Sequence, residues 1–134
     1  MTEFQGLSFE NGEEHRPLVS MVTNFTKPTA SAPSLIPHDE LCTLLHEFGH
    51  SLHAMLSEGR YESLNTTNVS TDFVELPSQF MENWAYEKEF LQGFARHYQS
   101  GEVIPDELIE KIRTTKNYNS AYLQVRQLHF CILD

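Results

Sequence analysis

The sequence predicts a mainly α-helical fold with a short strand region near the N-terminus, and three observations carry that expectation. From Asp39 to Glu58 no proline interrupts a run whose apolar residues recur at helical spacing. A second run, from Thr71 to about Phe94, has the same period. Ahead of both, Leu18 to Phe25 alternates and is β-branched, with Pro28, Pro33 and Pro37 punctuating a loop behind it.

Length and composition set the frame. At 134 residues, 40% hydrophobic and 21% charged, the chain reads as a single domain spanning 1–134 rather than a disordered segment. A chain of this size buries about two-thirds of its unfolded surface. A net charge of −10 argues against nucleic acid as a partner, because phosphates require clustered Lys and Arg. No apolar run approaches the roughly 20 residues of a membrane span, and no basic amphipathic segment suits a membrane surface. Met1 to Gln5 has neither a basic start nor an apolar stretch, so no signal peptide is read and a cytoplasmic location is expected. Cys42 and Cys131 form no Cys-x-x-Cys site and are expected to be reduced, packed thiols.

In the first helix Asp39 is the expected N-cap after Pro37, and Gly59 the expected stop. Leu41, Leu44, Leu45, Phe48, Leu52, Met55 and Leu56 fall in one stripe about 120° wide, suited to a core-facing side. His46 and His50 fall roughly opposite, beside Thr43, Ala54 and Ser57. With no Lys or Arg in the run, that face reads as the wall of a cleft.

His46-Glu47-Phe48-Gly49-His50 is the chemical signal. At 100° per residue the two histidines lie about 40° apart around the axis and about 6 Å apart along it. Both rings can reach one ion at the Zn–N distance of about 2.0–2.1 Å. Glu47 lies to the side, placed to act on water rather than to bind metal, which is the arrangement of a zinc peptidase. His53 stands near the same face, but the pattern that takes a third histidine has Leu56 where that residue belongs, so His53 is read as lining the helix.

A catalytic zinc needs a third protein ligand and an open position. Asp72 and Glu75 stand at capping-box spacing, and Pro77 is tolerated only near a first helical turn. On a helix continuing to about Phe94, Leu76, Phe80, Trp84, Leu91 and Phe94 form the apolar side, and Glu75, Gln79, Glu82 and Tyr86 a polar stripe. Glu75 could then face the metal, with Glu82 orienting a ligand histidine. Read alone, Glu75 serves equally as a carboxylate answering the helix dipole.

His-Glu-Phe-Gly-His-Ser-Leu-His (46–53), followed by Asp-Phe-Val-Glu-Leu-Pro-Ser-Gln-Phe-Met-Glu-Asn-Trp (72–84), resembles the zinc-binding core of the thimet oligopeptidase, neurolysin and peptidyl-dipeptidase family. Residues 11 to 28 are similar to the strand and loop that precede that family's zincin-like active-site helix. The wording is nearest to the bacterial peptidyl-dipeptidase branch. The resemblance implies one zinc held by His46, His50 and Glu75, with Glu47 as the catalytic acid and base. It also implies hydrolysis of short peptides.

Members of that family are several times longer and continue into a Gly- and Tyr-rich loop that binds the oxyanion. The chain is therefore expected to be a poorly active catalytic fragment, its partners being short peptides and the remainder of the parent domain. Self-association through uncovered apolar surfaces stays open. The alternative is a catalytically impaired zinc- and peptide-binding piece or paralogue. Leu18 to Phe25 either pairs with an extended substrate or braces the zinc helix. Beyond Ser100-Gly101, a short helix is expected from Pro105-Asp106-Glu107. Another is expected from about Asn119 to Phe130, with Tyr122, Val125 and Phe130 packing; Tyr118 and Tyr122 are read as packing residues rather than oxyanion donors.

Overall fold

The computed structural model describes residues 1–59 and 61–133 and is mainly α with a minor β part, as the sequence predicts. It divides into two compact units, Met1–Ala85 and Tyr86–Asp134. Among the described residues, no helix is long and apolar enough to cross a membrane.

In the first unit, β1 (Thr2–Gln5) pairs antiparallel with β4 (Leu18–Ser20), with a bulge between Glu3 and Gln5. Between them β2 (Ser8–Glu10) and β3 (Glu13–His15) form a hairpin. Its turn residues, Asn11 and Gly12, take φ values of 53° and 86°. A two-residue hairpin turn needs left-handed backbone at both central positions, which Asn and Gly adopt at least cost. The strand expected to run to Phe25 stops at Ser20; Val22 beyond it is 82% exposed, so alternation alone does not secure a partner.

Helix α1 (His38–Met55) begins two residues earlier than expected. Its N-cap is Pro37 with no side-chain cap, and Asp39 instead joins Glu40 in the first turn, where negative charge suits the helix dipole. Glu40 also accepts hydrogen bonds from the backbone N–H and hydroxyl of Thr26, tying the preceding loop to the helix. The helix ends at Met55 rather than near Gly59. Arg16 donates to the Met55 carbonyl, satisfying an acceptor that a helix C-terminus leaves open.

The buried residues of α1 are Leu45, Gly49, Ser51 and Ala54, not the whole leucine stripe. Phe48, Met55 and Leu56 are exposed. The helix packs against both β4 and a second helix, so two narrow faces are covered in place of one broad one. Ala54, one turn beyond His50 on the histidine side, is fully buried and closes that end of the face.

That second helix, α2 (Leu76–Glu82), is shorter than expected. The Asn83 amide donates to the carbonyl of Phe80, and a 3₁₀ turn follows at Asn83–Tyr86. Glu87 is then extended, and α3 (Lys88–Phe94) starts anew in the second unit. Of the expected apolar side only Leu91 is buried; Leu76, Phe80, Trp84 and Phe94 are exposed.

In the second unit, α3 meets α4 (Asp106–Thr115) around Leu91 and Ile109, both buried. Lys88 pairs with Asp106 at 2.5 Å, and Arg113 Nε donates to the Tyr86 carbonyl at 2.7 Å. Helix α5 (Ser120–Leu133) covers the second expected helix and runs slightly longer. None of its residues is buried. Tyr122, Val125 and Phe130 do not pack as expected, because the apolar residues spread around the helix and no described element covers them. Among the described residues neither cysteine is in a disulfide; Cys42 is half-buried, and Cys131 is exposed rather than packed.

The tightest joint is α1 against α2. A Cβ built at Gly49 would stand 2.5 Å from the Pro77 carbonyl oxygen and 2.6 Å from Ser78 Cα. In an open helix Gly→Ala gains roughly 0.5–1 kcal/mol. Overpacking against rigid backbone costs about 1–3 kcal/mol and dominates here. Gly49→Ala is therefore expected to lower the thermal unfolding midpoint, followed by circular dichroism at 222 nm; an unchanged or raised midpoint would mean that the joint is loose.

Candidate metal centre

Two consecutive turns of α1 carry His46, Glu47 and His50, while Glu75 is the N-cap residue of α2. Because Gly49 has no side chain, the first turn of α2 lies directly on the helix between the two histidines. The joint brings the three predicted ligand residues together: Glu75 Oε2 lies 3.2 Å from His46 Nε2 and 3.1 Å from His50 Nε2. One ligand atom from each residue falls within 4.8 Å of the others. The two imidazole rings stand edge to face, 5.0 Å between centroids.

The two carboxylate–imidazole spacings suit a small cation. Bonds of about 2.0–2.1 Å at tetrahedral angles put ligand atoms about 3.3–3.4 Å apart, close to the 3.1 and 3.2 Å here. Protonation points the same way. His46 Nδ1 lies 2.6 Å from Glu82 Oε1, and a carboxylate acceptor requires the proton on Nδ1. In the neutral ring Nε2 then presents a lone pair to Glu75 Oε2. Two acceptors at that distance need a proton or a metal ion between them. Imidazole nitrogen with carboxylate oxygen is a donor set that zinc takes readily. Glu82 stands where the polar stripe of the sequence puts it.

Glu75 has a partner that sequence reasoning misses. Ser78, fully buried, places its hydroxyl 2.7 Å from Glu75 Oε2 and 3.0 Å from the Glu75 carbonyl oxygen. That hydrogen bond is the foremost reason the Glu75 carboxyl is held below the usual carboxylate range, against desolvation. A serine three residues past an N-cap carboxylate is the available signal.

Glu47 is half-buried beside the cluster, and its Oε2 accepts from the Met1 ammonium at 2.5 Å. That contact is the main cause lowering its pKa, with desolvation opposing it and both imidazoles assisting. His53 stays out of the cluster, its ring edge to face with Phe73 at 6.0 Å. Beside Gly49 a cleft of about 440 Å³ runs along Leu52, His53, Pro77 and Phe80. Glu75 lines another, of about 470 Å³, with Asp72, Leu76 and Gln79. Of His46, Glu47, His50 and Glu75, only Glu75 lines either cleft. Tyr118 and Tyr122 are exposed residues of the second unit. Among the described residues, β4 pairs with β1 and contacts α1, as a brace does.

A model of peptidase family M3 matches residues 1–134. Oligopeptidase A of Escherichia coli (strain K12) is 44% identical over 127 residues, covering 92% of this chain and 18% of that protein. Dipeptidyl carboxypeptidase of the same organism is 43% identical over 118 residues, 88% of this chain and 17% of the relative. Saccharolysin of Saccharomyces cerevisiae is 40% identical over 119 residues, again 88% and 17%. The chain thus spans less than one-fifth of each relative, and the identities do not separate the oligopeptidase from the carboxypeptidase branch.

Removing a carboxylate that orients a metal-binding histidine typically costs 10–100-fold in metal affinity. Glu82→Gln is expected to weaken zinc retention by that order, measured by competition with a chromophoric chelator. Unchanged retention would show that the 2.6 Å contact to His46 orients nothing.

Proposed function

The chain belongs to peptidase family M3, and from that premise we propose that residues 1–134 form the zinc-binding part of the catalytic domain of a metallopeptidase that hydrolyses peptide bonds in short peptides. The observation that carries the reading is Glu75 Oε2 set 3.1–3.2 Å from Nε2 of both His50 and His46. His46, His50 and Glu75 would hold one zinc ion. Bound there, zinc supplies Lewis acidity, lowering the pKa of water and polarising a peptide carbonyl.

The chain's own residues do the rest. Glu82 keeps the proton of His46 on Nδ1, so that Nε2 stays available as a donor atom. Glu47 is not a ligand in this reading; it takes a proton from the attacking water and passes it to the nitrogen of the leaving amine. A glutamate carboxyl is ionised near neutrality, the state a base requires. A larger catalytic domain is the proposed partner, and α5, with its unburied apolar residues, is the surface offered to it.

Zinc-loaded protein incubated with an internally quenched fluorescent peptide is expected to show slow cleavage that a chelator abolishes. Glu47→Gln should retain zinc but lose at least about 10²-fold of that rate, the usual contribution of a positioned acid–base group. His46→Ala should lose both metal and cleavage. Cleavage persisting in zinc-loaded Glu47→Gln would remove Glu47 as the base. Zinc binding with no cleavage at all would favour a zinc- and peptide-binding piece over an active enzyme.

A further inference from the structure

Resting on the reading of His46, His50 and Glu75 as a metal site, we propose that Ser78 is a positioning residue whose hydroxyl fixes the Glu75 carboxylate for metal binding. Glu75 is the least constrained of the three groups. Its side chain is 48% exposed, against 27% for His46 and 13% for His50. A half-exposed glutamate samples several rotamers and loses that freedom when it binds. The histidines cannot hold it in place for the metal, because a nitrogen that binds a cation no longer has a proton to offer the carboxylate.

Ser78 can. Its Oγ lies 2.7 Å from Oε2, the oxygen that faces both imidazoles, and the residue is completely buried. A hydroxyl has one proton, and the charged oxygen at 2.7 Å is a better acceptor than the carbonyl at 3.0 Å. The backbone at Ser78 is itself immobilised, since its Cα is part of the joint that leaves no room for a Cβ at Gly49. A rigid donor is thereby aimed at a mobile ligand. This accounts for a fully buried hydroxyl three residues from the N-cap of α2, at a point where helix formation alone does not need one.

The test compares the full 134-residue chain with Ser78→Ala, Glu75→Ala and the double variant, by chelator competition for zinc and by visible absorption of the Co²⁺ form. Ser78→Ala is expected to bind zinc about tenfold more weakly, the lower end for a residue supporting a ligand. Its Co²⁺ spectrum should shift toward that of Glu75→Ala, and in the Glu75→Ala background the serine change should have no further effect. A wild-type chain that binds no zinc would sink the metal reading itself. Zinc bound by the wild type and equally well by Ser78→Ala would overturn the role of Ser78 alone. Losses that add in the double variant would overturn that role as well. Should Ser78→Ala fail to fold, Ser78→Gly removes the hydroxyl without adding atoms; if both fail, the hydroxyl serves the fold and the proposal is overturned.

Discussion

The first turn of α2 rests on α1 with no side chain between them, and the site depends on that contact. Gly49 stands between the two histidines along the sequence, and any larger residue there would meet the backbone of Pro77 and Ser78. The contact fixes two things together. It sets the height at which Glu75 leaves the start of α2, and it buries Ser78 directly behind that carboxylate. Helix propensity opposes glycine in mid-helix by roughly 0.5–1 kcal/mol, so the position trades local preference for closeness. Such departures from local rules are expected where function constrains the chain.

Around His46 the electrostatics are arranged in series. One carboxylate meets Nδ1 at 2.6 Å and another faces Nε2 at 3.2 Å, both from α2 or its cap. The outer carboxylate settles where the proton sits, and this leaves the inner pair electron-rich. A chain with a net charge of −10 adds to the attraction felt by any cation approaching the cluster. His50 has no corresponding support. Its Nδ1 is buried and has no hydrogen-bond partner among the described residues, so the two histidines are held by different means.

Much of this is legible in the sequence, and the remainder escapes it for identifiable reasons. The spacing of His46, Glu47 and His50 implies one helical face, and the Asp72 to Trp84 wording points to Glu75 and Glu82. These features rest on short-range geometry, which periodicity reports well. Burial is less accessible: Leu56 and Phe48 belong to the apolar stripe yet lie exposed, while Ala54 on the other side is buried. A wheel shows which residues share a face and not what covers it. The helix expected from residue 71 to 94 breaks at Asn83, where a side chain competes for a backbone acceptor, and period analysis is blind to that competition. The Asn11-Gly12 turn carries a compositional signal that strand alternation further along the chain overshadows. Ser78 leaves only its spacing of three residues from Glu75 as a signal, and its burial arises once α2 docks on α1.

Arg16 joins elements far apart in sequence. Its guanidinium reaches both Glu14 in β3 and the last-turn carbonyl of α1. Fraying of that helical end and opening of the hairpin are therefore linked, and the amides of both regions should exchange with solvent as one cooperative unit. A perturbation of the hairpin would thereby reach the C-terminal end of the helix that carries both histidines.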